Sequence, residues 1–349
     1  MAAMSQKVLL VTGGCGFIGS NFIHHVIHHK REWDIFNLDS LTYSGNLDNV
    51  KGLEDNRRYH FVQGDIGDEA LVMSLLEENA VGAIVHFAAE SHVDRSILES
   101  KAFVQTNVAG THVLLECATQ YWTKHLSCDA SFRFVHISTD EVYGTLGPTG
   151  RFSEESPMKP NSPYAATKAG ADLMVRAFFE TYGLPVLTCR PSNNYGPYQY
   201  PEKFIPLLIT NLIHDQRLPV YGKGKNVRDW IFVTDTCRAI DRVLEKGKAG
   251  HAYNVGGESE WRNIDVARYL LRLFGKDESW LEFVTDRPGH DWRYALDNSK
   301  IQAELGWRPT IDFETGIEKT MAWYRENTWW WTPLKERLSE ESKGFWSKP

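Results

Sequence analysis

Two short groups of side chains in this chain have the composition and spacing for chemistry on a carbon skeleton. Tyr164 and Lys168 stand four residues apart, so on a helix they share one face. An ammonium beside a phenol stabilises phenolate, so the spacing predicts a tyrosine of lowered pKa that serves as a base. Asp140 and Glu141 adjoin one another in Ser138-Thr139-Asp140-Glu141-Val142-Tyr143-Gly144. Two carboxyl groups held in different surroundings supply an acid and a base. That pair of tasks arises when a weakly acidic C–H proton is removed and a poor leaving group is expelled. Either motif alone is common, as a surface Tyr–Lys pair or as a solvated turn. Their joint position after an apolar, strand-like run is what gives them weight.

A third group is built to hold a dinucleotide. The run Val8–Thr12 leads into Gly13-Gly14-Cys15-Gly16-Phe17-Ile18-Gly19, and a helical pattern follows. Glycines at 13, 16 and 19 permit a tight turn, close approach of backbone to a pyrophosphate and close packing of helix on strand. The helix N-terminus offers N–H groups to the phosphates. Asp39 lies about twenty residues beyond Gly19, at the end of the second strand, where a carboxylate accepts from the ribose hydroxyls. It repels a 2′-phosphate, so NAD is expected rather than NADP. Asp65 and Ile66, after the third strand, are placed to meet the adenine.

The elements that must position these groups alternate. Apolar runs at Val8–Thr12, Asp34–Leu38, Tyr59–Gln63, Ala83–Phe87, Arg133–Ser138 and Val186–Cys189 read as buried strands. Phe17–His29, Asp68–Asn79, Thr106–Thr123 and Ala165–Tyr182 carry helical periodicity. Alternation of this kind predicts an α/β fold, a doubly wound parallel (Rossmann) sheet with helices on both faces. After Arg190 prolines recur and the alternation stops. Ile231–Val233, Asp235–Lys246 and Ala252–Val255 read as returns to the sheet. The expected division is residues 1–190 plus 231–257 for the NAD-binding domain. Residues 191–230 plus 258–349 then form a smaller α/β domain capping the substrate.

Bulk properties narrow the function. With 349 residues, 42% hydrophobic and 24% charged, the chain has an ordinary globular composition. A net charge of −7 opposes a nucleic-acid partner. Five scattered cysteines without a CxxC pair predict neither zinc nor disulfides, and a reduced cytoplasmic setting. No apolar run is long enough for a membrane span, and the short run after Lys7 predicts no secretory leader. Met1-Ala2-Ala3-Met4 is set aside. His24-His25 and His28-His29 read as a solvated helix face, so no metal is expected. Trp329-Trp330-Trp331, with Trp323 and Trp346, reads as an aromatic tail packed over the cap or against another subunit.

Taken together, the motifs resemble the extended short-chain dehydrogenase/reductases and, within them, the nucleotide-sugar 4,6-dehydratases. The matching stretches are TGGCGFIGSNF (12–22), NLDSLTYSGNLDNV (37–50), HFAAESHVDRSI (86–97), STDEVYG (138–144), SPYAATKA (162–169), SNNYGPYQYPEKFIP (192–206), RDWIFVTD (228–235), YNVGG (253–257) and DRPGHDWRY (286–294). The resemblance implies NAD retained as a cofactor, with Ala88 and Ala89 added to its binding set. It implies a dTDP-glucose substrate; the alternatives are a UDP-glucose or UDP-N-acetylglucosamine 4,6-dehydratase and, further off, a nucleotide-sugar 4-epimerase or a non-catalytic NAD-binding scaffold on the same fold. Tyr164, assisted by Lys168 and Thr139, oxidises C4; Glu141 takes the C5 proton; Asp140 protonates the departing 6-hydroxyl. Ser91, Asn193, Asn194 and Glu202 are then expected near the sugar. Lys203, Arg228, Asn263 and His290 are expected near the diphosphate and nucleoside. A homodimer through helices Thr106–Thr123 and Ala165–Tyr182 is also implied.

Overall fold

The computed structural model describes residues 7–342; Met1–Met4 and Trp346 lie outside the described residues. Seven strands form a parallel central sheet: β1 (Lys7–Thr12), β2 (Trp33–Asp39), β3 (Tyr59–Gln63), β4 (Val81–His86), β5 (Arg133–Ile137), β6 (Val186–Pro191) and β10 (Ala252–Val255). Their order across the sheet is β10-β6-β5-β4-β1-β2-β3. Period-two alternation sends Leu9 and Val11 to one face and Leu10 to the other, all three with no exposure. Helices Phe17–His29 and Val233–Lys246 cover the first face through residues such as Val26, Ile240 and Val243. Helices Glu69–Glu78, Thr111–Lys124 and Pro163–Tyr182 cover the second through Val72, Leu114 and Phe178. The strands are added outward from β1 to β3 and then from β4 on its other side, all parallel, and this switch in order opens a crevice beyond the carboxyl ends of β1 and β4.

Four elements differ from expectation. The segment expected to return at Ile231–Val233 forms β9 (Val227–Phe232), which pairs with β7 (Asn193–Tyr195) and β11 (Glu260–Arg262), outside the central sheet. Its aromatic residues Trp230 and Phe232 pack in a second core with Tyr195, Leu208, Val266 and Phe313. That apolar surface cannot be reached from the central sheet. The helix expected over Thr106–Thr123 begins as a π-helical turn at Val104–Gly110. The turn carries buried Asn107, whose amide accepts from Glu90 N–H and donates to the Glu90 carbonyl and Thr167. The histidines of the first helix are only half solvated. His24 bonds the Asn49 carbonyl and His25 approaches Asp241, while His28 and His29 are exposed. The tryptophans divide as well: Trp330 and Trp331 join the second core, and Trp329 remains 48% exposed.

Candidate active site

The turn after β1 has no room for side chains. Gly13 has a φ of 72°, and a Cβ there would lie 2.5 Å from the backbone nitrogen of Ala88, across the crevice between β1 and β4. A Cβ on Gly19 would lie 2.4 Å from the Gly13 carbonyl oxygen. The helix that follows has no side-chain cap, so its N-terminus faces the crevice with backbone groups alone. Asp39 ends β2 with both carboxylate oxygens fixed by the N–H groups of Cys15 and Leu41, each at 2.8 Å. Every residue expected to hold the cofactor lines this one cleft: Gly13, Gly16, Phe17, Ile18, Gly19, Asp39, Asp65, Ile66, Ala88, Ala89, Tyr164 and Lys168. The glycine cradle, the uncapped helix and the fixed carboxylate suit a dinucleotide.

Sequence reasoning missed Ser138, Gln199 and Tyr200, which line the same cleft. It also passed over Gly14, where a Cβ would meet the Asn37 side chain at 2.2 Å. The doubled glycine at 13–14 was the available signal for the latter.

Beside it opens a second cavity of about 620 Å³, the size of an ordinary small-molecule site. All eight residues expected at the substrate line it, from Ser91 to His290, and Ser91, Gln199 and Lys203 belong to both cavities. Lys203 donates to the Ser91 carbonyl at 3.0 Å. Glu202 accepts from the Tyr43 hydroxyl at 3.0 Å and has His92 at 3.4 Å. The Arg228 guanidinium lies over the Tyr294 ring, 4.5 Å from its centre, and donates to the Asp291 carbonyl. The side-chain oxygens of Asn193, Asn194 and Asn263 are buried without partners, as is the Trp230 indole nitrogen. Such orphans are rare unless a ligand satisfies them. His290 bonds Asp286 at 2.6 Å, and burial with nearby Arg287 pushes its pKa down to about 4. Arg287 itself was missed. It stands three residues before His290 in the same short motif, lines the cavity and pairs with Asp94 at 3.3 Å.

The catalytic candidates meet where the cavities join. Tyr164 and Lys168 line the cofactor cleft, and Glu141 lines the second cavity. Ser162 caps the helix that carries Tyr164, with Pro163 in its first turn. Thr139 caps the 3₁₀ turn Asp140–Tyr143, donates to Asp140 at 3.2 Å and lies close enough to Tyr164 to favour its phenolate. Lys168 donates to the Ile137 carbonyl at 2.7 Å, and burial brings its pKa down to about 8.

One expectation fails here. The Tyr164 pKa is raised in this state, because burial dominates and the carboxylate of Glu141 adds to it. The lysine one turn away does not overcome them.

The carboxyl pair is differently tuned. Asp140 is 1% exposed and is not among the residues lining either cavity; its pKa is raised well above the usual range by burial, then by Glu141 and Asp229. Its Oδ2 has no partner. Glu141 is also raised by burial, but Arg287, Arg228 and Lys203 oppose the shift. Burial and neighbouring acids thus favour the protonated form of Asp140, whereas more cations around Glu141 favour its anion.

A family model described as GDP-mannose 4,6 dehydratase matches residues 10–320, and the chain belongs to this family of nucleotide-sugar dehydratases. Its similarities point to one branch, the dTDP-glucose 4,6-dehydratases. It is 55% identical over 332 residues to the dTDP-glucose 4,6-dehydratase of Xanthomonas campestris pv. campestris, covering 92% of this chain and 94% of that protein. The dTDP-glucose 4,6-dehydratase of Streptomyces venezuelae, solved with NAD bound, superposes with a TM-score of 0.88 at 50% identity, covering 94% of this chain and all of that one. The Bacillus anthracis enzyme in complex with NAD gives 0.87 at 49% identity, covering 94% and 99%.

Proposed function

We propose that Thr139, Asp140, Glu141, Tyr164 and Lys168 carry out the dehydration of dTDP-glucose to dTDP-4-keto-6-deoxyglucose. The observation that supports this most is the split environment of the adjacent Asp140 and Glu141, with Glu141 lining the substrate cavity and Tyr164 lining the cofactor cleft. The glycine turn and Asp39 would hold NAD, which when bound supplies a hydride acceptor and a cationic ring. Tyr164 takes the proton of the 4-hydroxyl, with Thr139 and the Lys168 ammonium nearby. Because its pKa is raised in the free protein, this transfer depends on positive charge beside the ring. The hydride leaves C4 and the 4-ketone acidifies the C5 proton. Glu141 removes that proton while Asp140 protonates the 6-hydroxyl, the C6–O bond breaks and water departs. The hydride returns to C6 and Glu141 returns a proton to C5; the proton gained by Tyr164 and the one given up by Asp140 then balance by exchange through solvent, restoring both groups. The sequence consumes no net oxidant, so the cofactor can remain bound through many cycles.

On the substrate side, Ser91, Asn193, Asn194 and Glu202 surround the sugar; Lys203, Arg228, Asn263, His290 and Arg287 meet the diphosphate and nucleoside. A planar guanidinium such as that of Arg228 matches paired phosphate oxygens. A homodimer is supported by apolar side chains exposed on the second of the expected helices, Leu173 at 58% and Tyr182 at 57%. A cytoplasmic setting is supported by cysteines that are all unpaired among the described residues. No helix among the described residues is long and apolar enough to cross a membrane.

Incubation with dTDP-glucose, UDP-glucose and UDP-N-acetylglucosamine, followed by mass spectrometry, tests the reading. Loss of one water from dTDP-glucose is expected. Loss from a UDP-sugar alone would overturn the substrate, and loss from none would overturn the reaction.

A further inference from the structure

The tryptophan-rich C-terminal helix, Thr328–Ser342, plays no part in the proposed reaction, yet it is wired to the glycine turn. The Trp330 indole N–H donates to the Asn49 side-chain oxygen at 2.8 Å. The Asn49 amide then donates to the Cys15 carbonyl at 2.7 Å, and the Cys15 N–H donates to Asp39 Oδ2 at 2.8 Å. Trp330, Asn49 and Cys15 are 2%, 1% and 0% exposed. The chain of bonds thus runs from the second core, through residues nearly 300 positions apart in sequence, into the turn between Gly13 and Gly19. The Trp330 ring also meets Tyr198 nearly edge-on, with centres 5.9 Å apart. Tyr198 lines the cofactor cleft, with a φ of 65° that is unfavourable for a tyrosine. Trp330 therefore braces two walls of the same cleft from outside.

We propose that Trp330 and Asn49 are positioning residues for the cofactor, holding the Cys15 peptide and Asp39 in their binding geometry. This rests on the assignment of the glycine turn to NAD. The physical reason is preorganisation. A turn so rich in glycine has many backbone conformations open to it, and only the fraction already in the binding shape contributes to apparent affinity. The Cys15 carbonyl accepts from Asn49 Nδ2 and from the Asn46 N–H at 3.0 Å, so it is pinned from the side opposite its own N–H. Asn49 in turn is held at its side chain by Trp330 and at its backbone by His24, which bonds its main-chain carbonyl at 2.9 Å.

The test compares holoenzymes of wild type, Trp330→Phe, Asn49→Ala, the double variant and Trp329→Phe. Release of NAD(H) after dilution is followed by chromatography of the filtrate, with binding of dTDP and thermal unfolding measured in parallel. Trp330→Phe keeps an aromatic ring and removes the N–H, and is expected to raise the NAD release rate about fivefold, the worth of one net buried hydrogen bond. Asn49→Ala is expected to raise it at least as much, and the double variant no further, because the two act in series. Trp329→Phe, at an exposed neighbour, releases NAD at the wild-type rate, and dTDP affinity is unchanged throughout. Wild-type retention of NAD by Trp330→Phe despite a lowered unfolding temperature would overturn the proposal, as would parallel weakening of NAD and dTDP. Should Asn49→Ala fail to fold, the contrast between Trp330→Phe and Trp329→Phe decides alone. Failure of the cofactor assignment itself is separately visible, as wild-type protein that carries no NAD.

Discussion

Asp140→Asn is the most informative single substitution, because it removes a proton donor while leaving shape and charge nearly unchanged. Asp140 is buried, and burial with Glu141 and Asp229 beside it favours its protonated form. A neutral amide replacing a neutral acid therefore leaves the electrostatics of Glu141 almost as they were. Oδ1 accepts a 3.2 Å bond from Thr139 and Oδ2 has no partner, so folding should lose about 1 kcal/mol or less. Elimination should instead slow by roughly 10²–10⁴-fold, a barrier increase of about 3–5 kcal/mol. Oxidation at C4 uses Tyr164 and should proceed, so the reduced nicotinamide absorbance should build up on mixing with dTDP-glucose. The pH profile supplies the sign. Activity rises with pH as Glu141 loses its proton and falls as Asp140 loses its own, both limbs lying above the usual carboxylate range. Asp140→Asn should erase the contribution of Asp140 to the falling limb, whereas Glu141→Gln should erase the rising limb. Wild-type dehydration by Asp140→Asn, with an unaltered pH profile, would refute the assignment of the acid.

Tyr164→Phe should block the first hydride transfer, so neither reduced cofactor nor exchange of the C5 proton with deuterated water appears on adding substrate. Gly19→Ala should abolish NAD retention, since its Cβ would lie 2.4 Å from the Gly13 carbonyl oxygen; chromatography of the denatured protein would register the loss. Sedimentation at micromolar concentration should give a dimer, and Leu173→Glu, at an exposed apolar residue of the helix Pro163–Tyr182, should shift it to monomer without unfolding it.

Much of this was legible in the chain because the signals were local. The strand at 7–12 and the helix at 17–29 follow from apolar periodicity, and Asp39 falls at a strand end fixed by the length of one βαβ unit. The glycine turn announces itself because only glycine satisfies its contacts. The rest depends on what packs from afar. The Tyr164–Lys168 spacing suggested a lowered tyrosine pKa, but spacing on one helix does not register Glu141 and Asp140, which arrive from the loop after β5. The aromatic run around Trp230 looked like another central strand until Phe313 and Tyr195 were seen to hold it elsewhere. Arg287 was hidden beside a more conspicuous histidine. Trp330 could be read only as aromatic, since its partner Asn49 lies at the opposite end of the sequence.

The central claim is that hydrogen leaves C4 and returns to C6 within one active site, with Tyr164 and the carboxyl pair managing the protons. Conversion of dTDP-glucose carrying deuterium at C4, in ordinary water and with no added nicotinamide, tests it directly. The account predicts that product isolated by mass spectrometry and NMR carries that deuterium on C6 and ordinary hydrogen on C5, with bound NAD unchanged at the end. Appearance of the label in solvent or in released NADH, with C6 unlabelled, would contradict it.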